Sequence, residues 1–129
     1  MKHNILVDTS IWIEFFNHSD SEYGELLEQL ILDNRVVYTG VILAELLQGA
    51  KIEKEYHEIQ ENMAVFPFLE SSYQTWLSVG KTAFSLRRKG LTLPLTDILI
   101  ACLAEENTCQ IFSLDDHFKK IPGTKLYNS

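Results

Sequence analysis

Four acidic residues stand where acids are seldom tolerated without a task. Asp8 closes the apolar run of "ILVDTS", Glu45 is the only charge in "GVILAELLQGA", Asp97 opens the apolar stretch of "LPLTDILIACLA", and Asp115 follows the strand-like "CQIFSL". A carboxylate set among apolar neighbours must cap a helix, bind something positive or titrate with a raised pKa. Local explanations exist for two of them. Asp8 could N-cap the segment "TSIWIEFF", and Asp97 could gain about 0.3–1 kcal/mol from the dipole of the helix it opens. Each acid then needs a separate excuse, whereas one shared metal site accounts for all four. Carboxylate oxygens are the ligands that Mg²⁺ and Mn²⁺ prefer, and several converging on one point suggest phosphate chemistry. The metal then activates a water and neutralises charge on the phosphodiester, and no amino-acid nucleophile is required. Thr9, Ser10 and Ser113 lie within two residues of an acid. Their hydroxyls could orient carboxylates or metal-bound waters, with capping as the competing role for Thr9 and Ser10.

Short apolar runs alternate with longer segments of helical period, the pattern of a parallel sheet flanked by helices. Strands are expected at residues 4–7, 36–38, 65–68, 110–112 and 125–127. Ligands of open parallel sheets bind beyond the carboxyl ends of the strands, so Asp8 and Asp115 should share one sheet edge. Ser21 opens a helix in which Leu26, Leu27, Leu30 and Ile31 keep three- and four-residue spacing. Tyr73, Trp76, Leu77, Gly80, Ala83 and Phe84 draw a second apolar stripe, expected in the core. The basic cluster "RRKG" ends it, with Gly90 as the C-terminal cap.

The chain has 129 residues, 46% of them apolar, enough to bury a core without disulfides or a structural metal. A single domain over residues 1–129 is expected, since no repeat, low-complexity tract or linker interrupts it. Cys102 and Cys109 lack the paired spacing of a zinc site and read as reduced packing residues. No run has the form of a signal peptide or the length of a membrane span, which predicts a cytosolic protein. A formal charge of −7 argues against nucleic-acid binding by charge neutralisation. Bound divalent cations would invert that field locally.

In this order and company, "ILVDTS", "VILAELLQG", "LTLPLTDILIA" and "FSLDDHFKKIPG" resemble the PIN-domain ribonucleases, in particular the VapC-like toxins of prokaryotic toxin–antitoxin pairs. The resemblance runs nearly end to end. It implies a central parallel sheet of about five strands with helices on both faces, Mg²⁺ or Mn²⁺ dependence, and endonucleolytic cleavage of RNA. It also implies Asp8, Asp97 and Asp115 as metal ligands, with Glu45 holding a metal or its water. The family's spacing from Ser113 selects Asp115 over Asp116, and His117 is expected to be solvated or capping rather than a ligand. Toxins of this type are usually dimers silenced by an antitoxin, whose tail lies over the apolar first helices and sends a basic side chain into the acidic site. Trp12, Phe15 and Phe16 could line that groove, with at least one of them in the core. Lys81, Arg87, Arg88, Lys89, Lys119 and Lys120 are candidate RNA contacts, which solvation explains equally well. The rival readings are a housekeeping nuclease without an antitoxin, a catalytically degenerate binding module of the same fold, and a phosphatase of another α/β family. Phosphatases with a nucleophilic aspartate commonly carry a second acid two residues later, where this chain has Ser10.

Overall fold

The structure, a computed structural model, describes residues 2–127. Strand β1 (Ile5–Val7) leads through α1 (Thr9–Asn17) and α2 (Glu22–Leu32) to β2 (Val36–Thr39). Helices α3 (Gly40–Gln48) and α4 (Glu53–Met63) connect β2 to β3 (Phe68–Leu69), and α5 (Tyr73–Arg88) and α6 (Leu95–Glu106) connect β3 to β4 (Gln110–Phe112). A 3₁₀ turn, Asp116–Lys120, follows β4. The strands pair in parallel in the order β3-β2-β1-β4, with Ile5 opposite both Val36 and Gln110.

The three residues of β1 expose no surface, which requires cover on both faces of the sheet and explains why the strand reads as an unbroken apolar run. Helix α6 is buried from Ile98 to Ala104, all round its circumference, so it shows a weak amphipathic period despite being a helix. The strand order gives the site its place. From β1 the chain builds outward through β2 to β3, then returns across the sheet to β4 on the other side of β1. The order therefore reverses between β1 and β4, and the crevice beyond their carboxyl ends is where such sheets bind ligands.

Three expectations need correction. The sheet has four strands rather than about five, because the expected strand at residues 125–127 is reduced to one parallel bridge between Ile111 and Leu126. The turn at Pro122 and Gly123, where Gly123 has φ +84°, brings the chain alongside β4 only from Lys125 onward. Strand β3 starts at Phe68 rather than Val65. Val65 and Phe66 belong to the turn after α4, and Pro67 has no N–H for the ladder, contributing only its carbonyl to Tyr38 N–H at 3.2 Å.

The third correction concerns α5. Its aromatic stripe is not core: Tyr73, Trp76 and Phe84 are 75%, 51% and 62% exposed, Leu77 is exposed as well, and of the stripe only Ala83 packs on the core. The buried residues are Thr75, Val79 and Leu86, one position out of phase. Thr75 tolerates burial because its hydroxyl donates to Glu106 of α6 at 2.9 Å while accepting the Ser72 N–H at 3.0 Å in a capping box. Gly90 ends the helix as expected, in the left-handed region at φ +84°, and Leu91 N–H returns to the Leu86 carbonyl. Ser21 caps α2 through a 3.1 Å bond from Gly24 N–H, and both cysteines are free and buried. Among the described residues, no helix is long and apolar enough to cross a membrane.

Candidate active site

Asp8 leaves the end of β1 and takes the N-cap position of α1, yet its side chain makes no capping hydrogen bond. The local explanation for this acid therefore fails. Its carboxylate instead accepts from Ser113 Oγ at 2.7 Å and from Ser10 Oγ at 3.1 Å, while its own N–H is held by the Phe112 carbonyl. Ser113 also accepts the Asp115 N–H at 2.9 Å, and Ser10 accepts the Leu114 N–H at 3.1 Å. Two hydroxyls thus tie the loop after β1 to the loop after β4, binding carboxylate and backbone together.

Asp97 enters from the first turn of α6, largely buried. Burial pushes its carboxyl pKa above the usual carboxylate range, a hydrogen bond with His117 opposes this, and the charges of Asp115 and Asp8 push it further up. Asp115 stands at the start of the 3₁₀ turn and caps it, accepting the His117 N–H at 2.9 Å. Asp116 points away, paired with Lys119 in solvent at 3.1 Å.

The His117 side chain stays 38% exposed, yet its ring is held by two acids rather than free. Its Nδ1 lies 2.7 Å from Asp97 Oδ2 and 3.2 Å from Asp115 Oδ1. Ligand atoms of Asp97, Asp115 and His117 all fall within 4.8 Å of one another. Its spacing of two residues from Asp115 is a local cue only to that acid; the contact with Asp97 comes from the start of α6, 20 positions away. Asp8 and Glu45 both lie outside this trio: Asp8 is linked to it through Ser113, and Glu45, exposed on α3, accepts the Thr9 hydroxyl at Oε1 at 3.0 Å. Thr9 and Ser10 therefore both bind carboxylates rather than cap α1.

The donor set fits a divalent cation, since two carboxylates and an imidazole nitrogen face one another and the charges of Asp115 and Asp8 crowd Asp97, an excess of negative charge that a cation relieves. Two hollows with apolar walls open beside the site, one bordering Glu45 and one bordering Thr96. A groove of ≈ 360 Å³ is lined by Ile13, Phe16, Leu46 and Ile59, with Glu45 and Lys51 also on its wall. Trp12 of the same helix is buried, Phe15 packs partly against the core, and Phe16 is exposed. A larger hollow of ≈ 630 Å³ is lined by Val41, Phe68, Trp76, Leu95 and Leu99. Of the candidate basic contacts, Lys119 is paired with Asp116 and Arg88 stacks over Phe84 at 5.6 Å.

Known proteins share both sequence and fold with this chain. The PIN domain family matches residues 5–124. Ribonuclease VapC2 of Rickettsia felis is 30% identical over 129 residues, covering 95% of this chain and 96% of that protein. Ribonuclease VapC1 of Haemophilus influenzae is 28% identical over 106 residues, 77% of each chain. Among solved structures, DNA-bound VapBC from Salmonella typhimurium superposes with a TM-score of 0.83 at 22% identity, covering 98% of both chains. VapBC2 from Rickettsia felis, bound to a DNA fragment from its promoter, gives 0.81 at 24% identity, with 97% of this chain and 98% of that one covered. The chain belongs to the PIN-domain family and is a VapC-like member of it.

Proposed function

We propose that this chain is a metal-dependent endoribonuclease, the toxin of a type II toxin–antitoxin pair, that hydrolyses RNA phosphodiester bonds at its acidic cluster. The observation that carries this reading is the pairing of Asp97 with Asp115, whose ligand atoms lie within 4.8 Å of each other, beside Asp8, which Ser113 ties to the same loop at the reversal point of the sheet. Mg²⁺ or Mn²⁺ would be held by these three acids, with Glu45 holding a metal or its water. Once bound, the metal supplies an activated water and neutralises charge on the attacked phosphodiester. The protein's own part is to aim the carboxylates. Ser10 and Ser113 fix Asp8, Thr9 steers Glu45, and the burial of Asp97 strengthens its attraction for a cation.

The groove beside Glu45 supports an antitoxin segment that lays apolar side chains against Ile13 and Phe16 and offers a basic group to the acids. The exposed apolar face of α5 and the hollow next to it support a homodimer, with Trp76 and Leu95 in the contact. In this reading the chain works as one domain over residues 1–129 in the cytosol. The test is a gel assay on structured RNA, with Mn²⁺ or with EDTA, beside single-stranded DNA and a chromogenic phosphate monoester. Internal cleavage of RNA that stops in EDTA and in Asp97→Asn is expected, with the monoester untouched. Metal binding without any cleavage would favour a degenerate binding module instead.

A further inference from the structure

We infer that His117 supplies an imidazole nitrogen as a direct ligand to the metal held by Asp97 and Asp115, and that this nitrogen tilts the site toward Mn²⁺ and Co²⁺ over Mg²⁺. The inference rests on the reading of those two acids as metal ligands. It starts from backbone geometry. The 3₁₀ turn after β4 is capped by Asp115, whose Oδ1 holds the His117 N–H at 2.9 Å. With the backbone held there, the ring reaches the start of α6 while its side chain stays 38% exposed. Its Nδ1 stands 2.7 Å from Asp97 Oδ2 and 3.2 Å from Asp115 Oδ1.

Adjacent ligand atoms around an octahedral ion with bonds of about 2.1 Å lie about 3.0 Å apart. The two observed separations bracket that value, so Nδ1 stands from each oxygen at the spacing of neighbouring ligands on one small ion, with all three atoms within 4.8 Å. Oxygen-only sites suit Mg²⁺, while the affinity of nitrogen-containing sites rises along the first transition row from Mn²⁺ to Co²⁺. One imidazole among carboxylates therefore changes which ion the site selects, without changing the carboxylate set.

Metal affinity and spectroscopy test this independently of cleavage. Calorimetric titration of the full chain with Mg²⁺ and Co²⁺ should show that His117→Ala weakens Co²⁺ by at least about tenfold, the scale on which lost metal-site partners act. Mg²⁺ should change by less than about threefold. His117→Asp should hold Mg²⁺ at least as tightly as wild type but should not restore Co²⁺ binding to the wild-type level, because it replaces nitrogen with oxygen. In wild-type protein loaded with Mn²⁺, electron spin-echo modulation should report a coupled imidazole nitrogen, a readout that needs no variant to fold. Absence of that coupling, or equal losses of Mg²⁺ and Co²⁺ in His117→Ala, overturns the inference. Asp97→Asn separates the two levels. If it abolishes metal binding while His117→Ala leaves Co²⁺ affinity intact, the acid site stands and the histidine ligand is overturned. If the wild type binds neither ion, both readings fall.

Discussion

Ser113 donates a 2.7 Å hydrogen bond to Asp8, a residue 105 positions earlier, and accepts the N–H of Asp115 on its other side at 2.9 Å. One hydroxyl thereby joins the acid that ends β1 to the acid that follows β4. Without it, a largely buried carboxylate keeps only Ser10, and the Asp115 amide loses its acceptor.

Ser113→Ala should therefore destabilise the protein by about 1–3 kcal/mol, the cost of leaving polar groups unmatched, and lower its Tm by several degrees. Metal affinity should fall by about 10–100-fold, while Ser113→Thr, which keeps the hydroxyl, should stay near wild type. Thermal melts and metal titrations of the two variants check this. Equal behaviour of Ala and Thr would show that the hydroxyl does not matter.

Asp8 and Asp97 should act as one unit in catalysis. Either change to Asn is expected to lower RNA cleavage on the order of a hundredfold or more, and the double variant should fall little further. Single-turnover rates on one RNA substrate would show it. Losses that multiply would mean that the two acids work independently.

Crowding predicts a reversed order of stabilities. In EDTA, Asp97→Asn should melt above wild type because one repelling charge is gone. Added Mn²⁺ should then raise the wild type more, by roughly 2.7 kcal/mol when free metal is about a hundred times Kd. Melting curves in which Mn²⁺ leaves the wild type unmoved would rule out a clustered site.

The same group sets a pH dependence in metal-free protein. Asp97 has its carboxyl raised above the ordinary 3.8, chiefly by burial, so the folded state holds this proton more tightly than the unfolded chain does. Its contribution to stability is full below the ordinary carboxylate range and is lost as pH rises through the raised value. Urea denaturation across acidic to neutral pH in EDTA should show wild type losing more stability over this window than Asp97→Asn. Parallel curves would contradict the assignment.

In the proposed homodimer, Trp76→Glu should convert dimer to monomer in sedimentation experiments with little change in the stability of the fold, because the side chain is half exposed in the single chain. Unchanged mass with wild-type melting would remove α5 from the interface. A large drop in Tm without dissociation would count against the same face.

Much of the site's position was legible in the residue order. An apolar run such as "ILV" can end only where a polar group is tolerated, so Asp8 closes β1, and parallel strands put Asp115, three residues beyond β4, on the same edge. The serines beside them were legible too, as hydroxyls within two residues of an acid. Which way a side chain turns was decided by tertiary packing. His117 meets Asp97 only because the 3₁₀ turn after β4 runs beside the start of α6, a neighbour 20 positions away in sequence. Glu45, the only charge in an apolar helix, looked buried and is exposed, because α3 turns that side of itself outward toward Thr9.

Helix α5 shows the limit most plainly. Periodicity reveals that a helix has an apolar face, but not what lies against it. Thr75 is buried because Glu106 accepts its hydroxyl, and Trp76 is left outside because α6 covers the adjacent face. Local spacing thus determined the elements and the ends that carry acids. Partners distant in sequence decided which face each helix buries and which nitrogen joins the carboxylates, since those choices depend on contacts that no local pattern encodes.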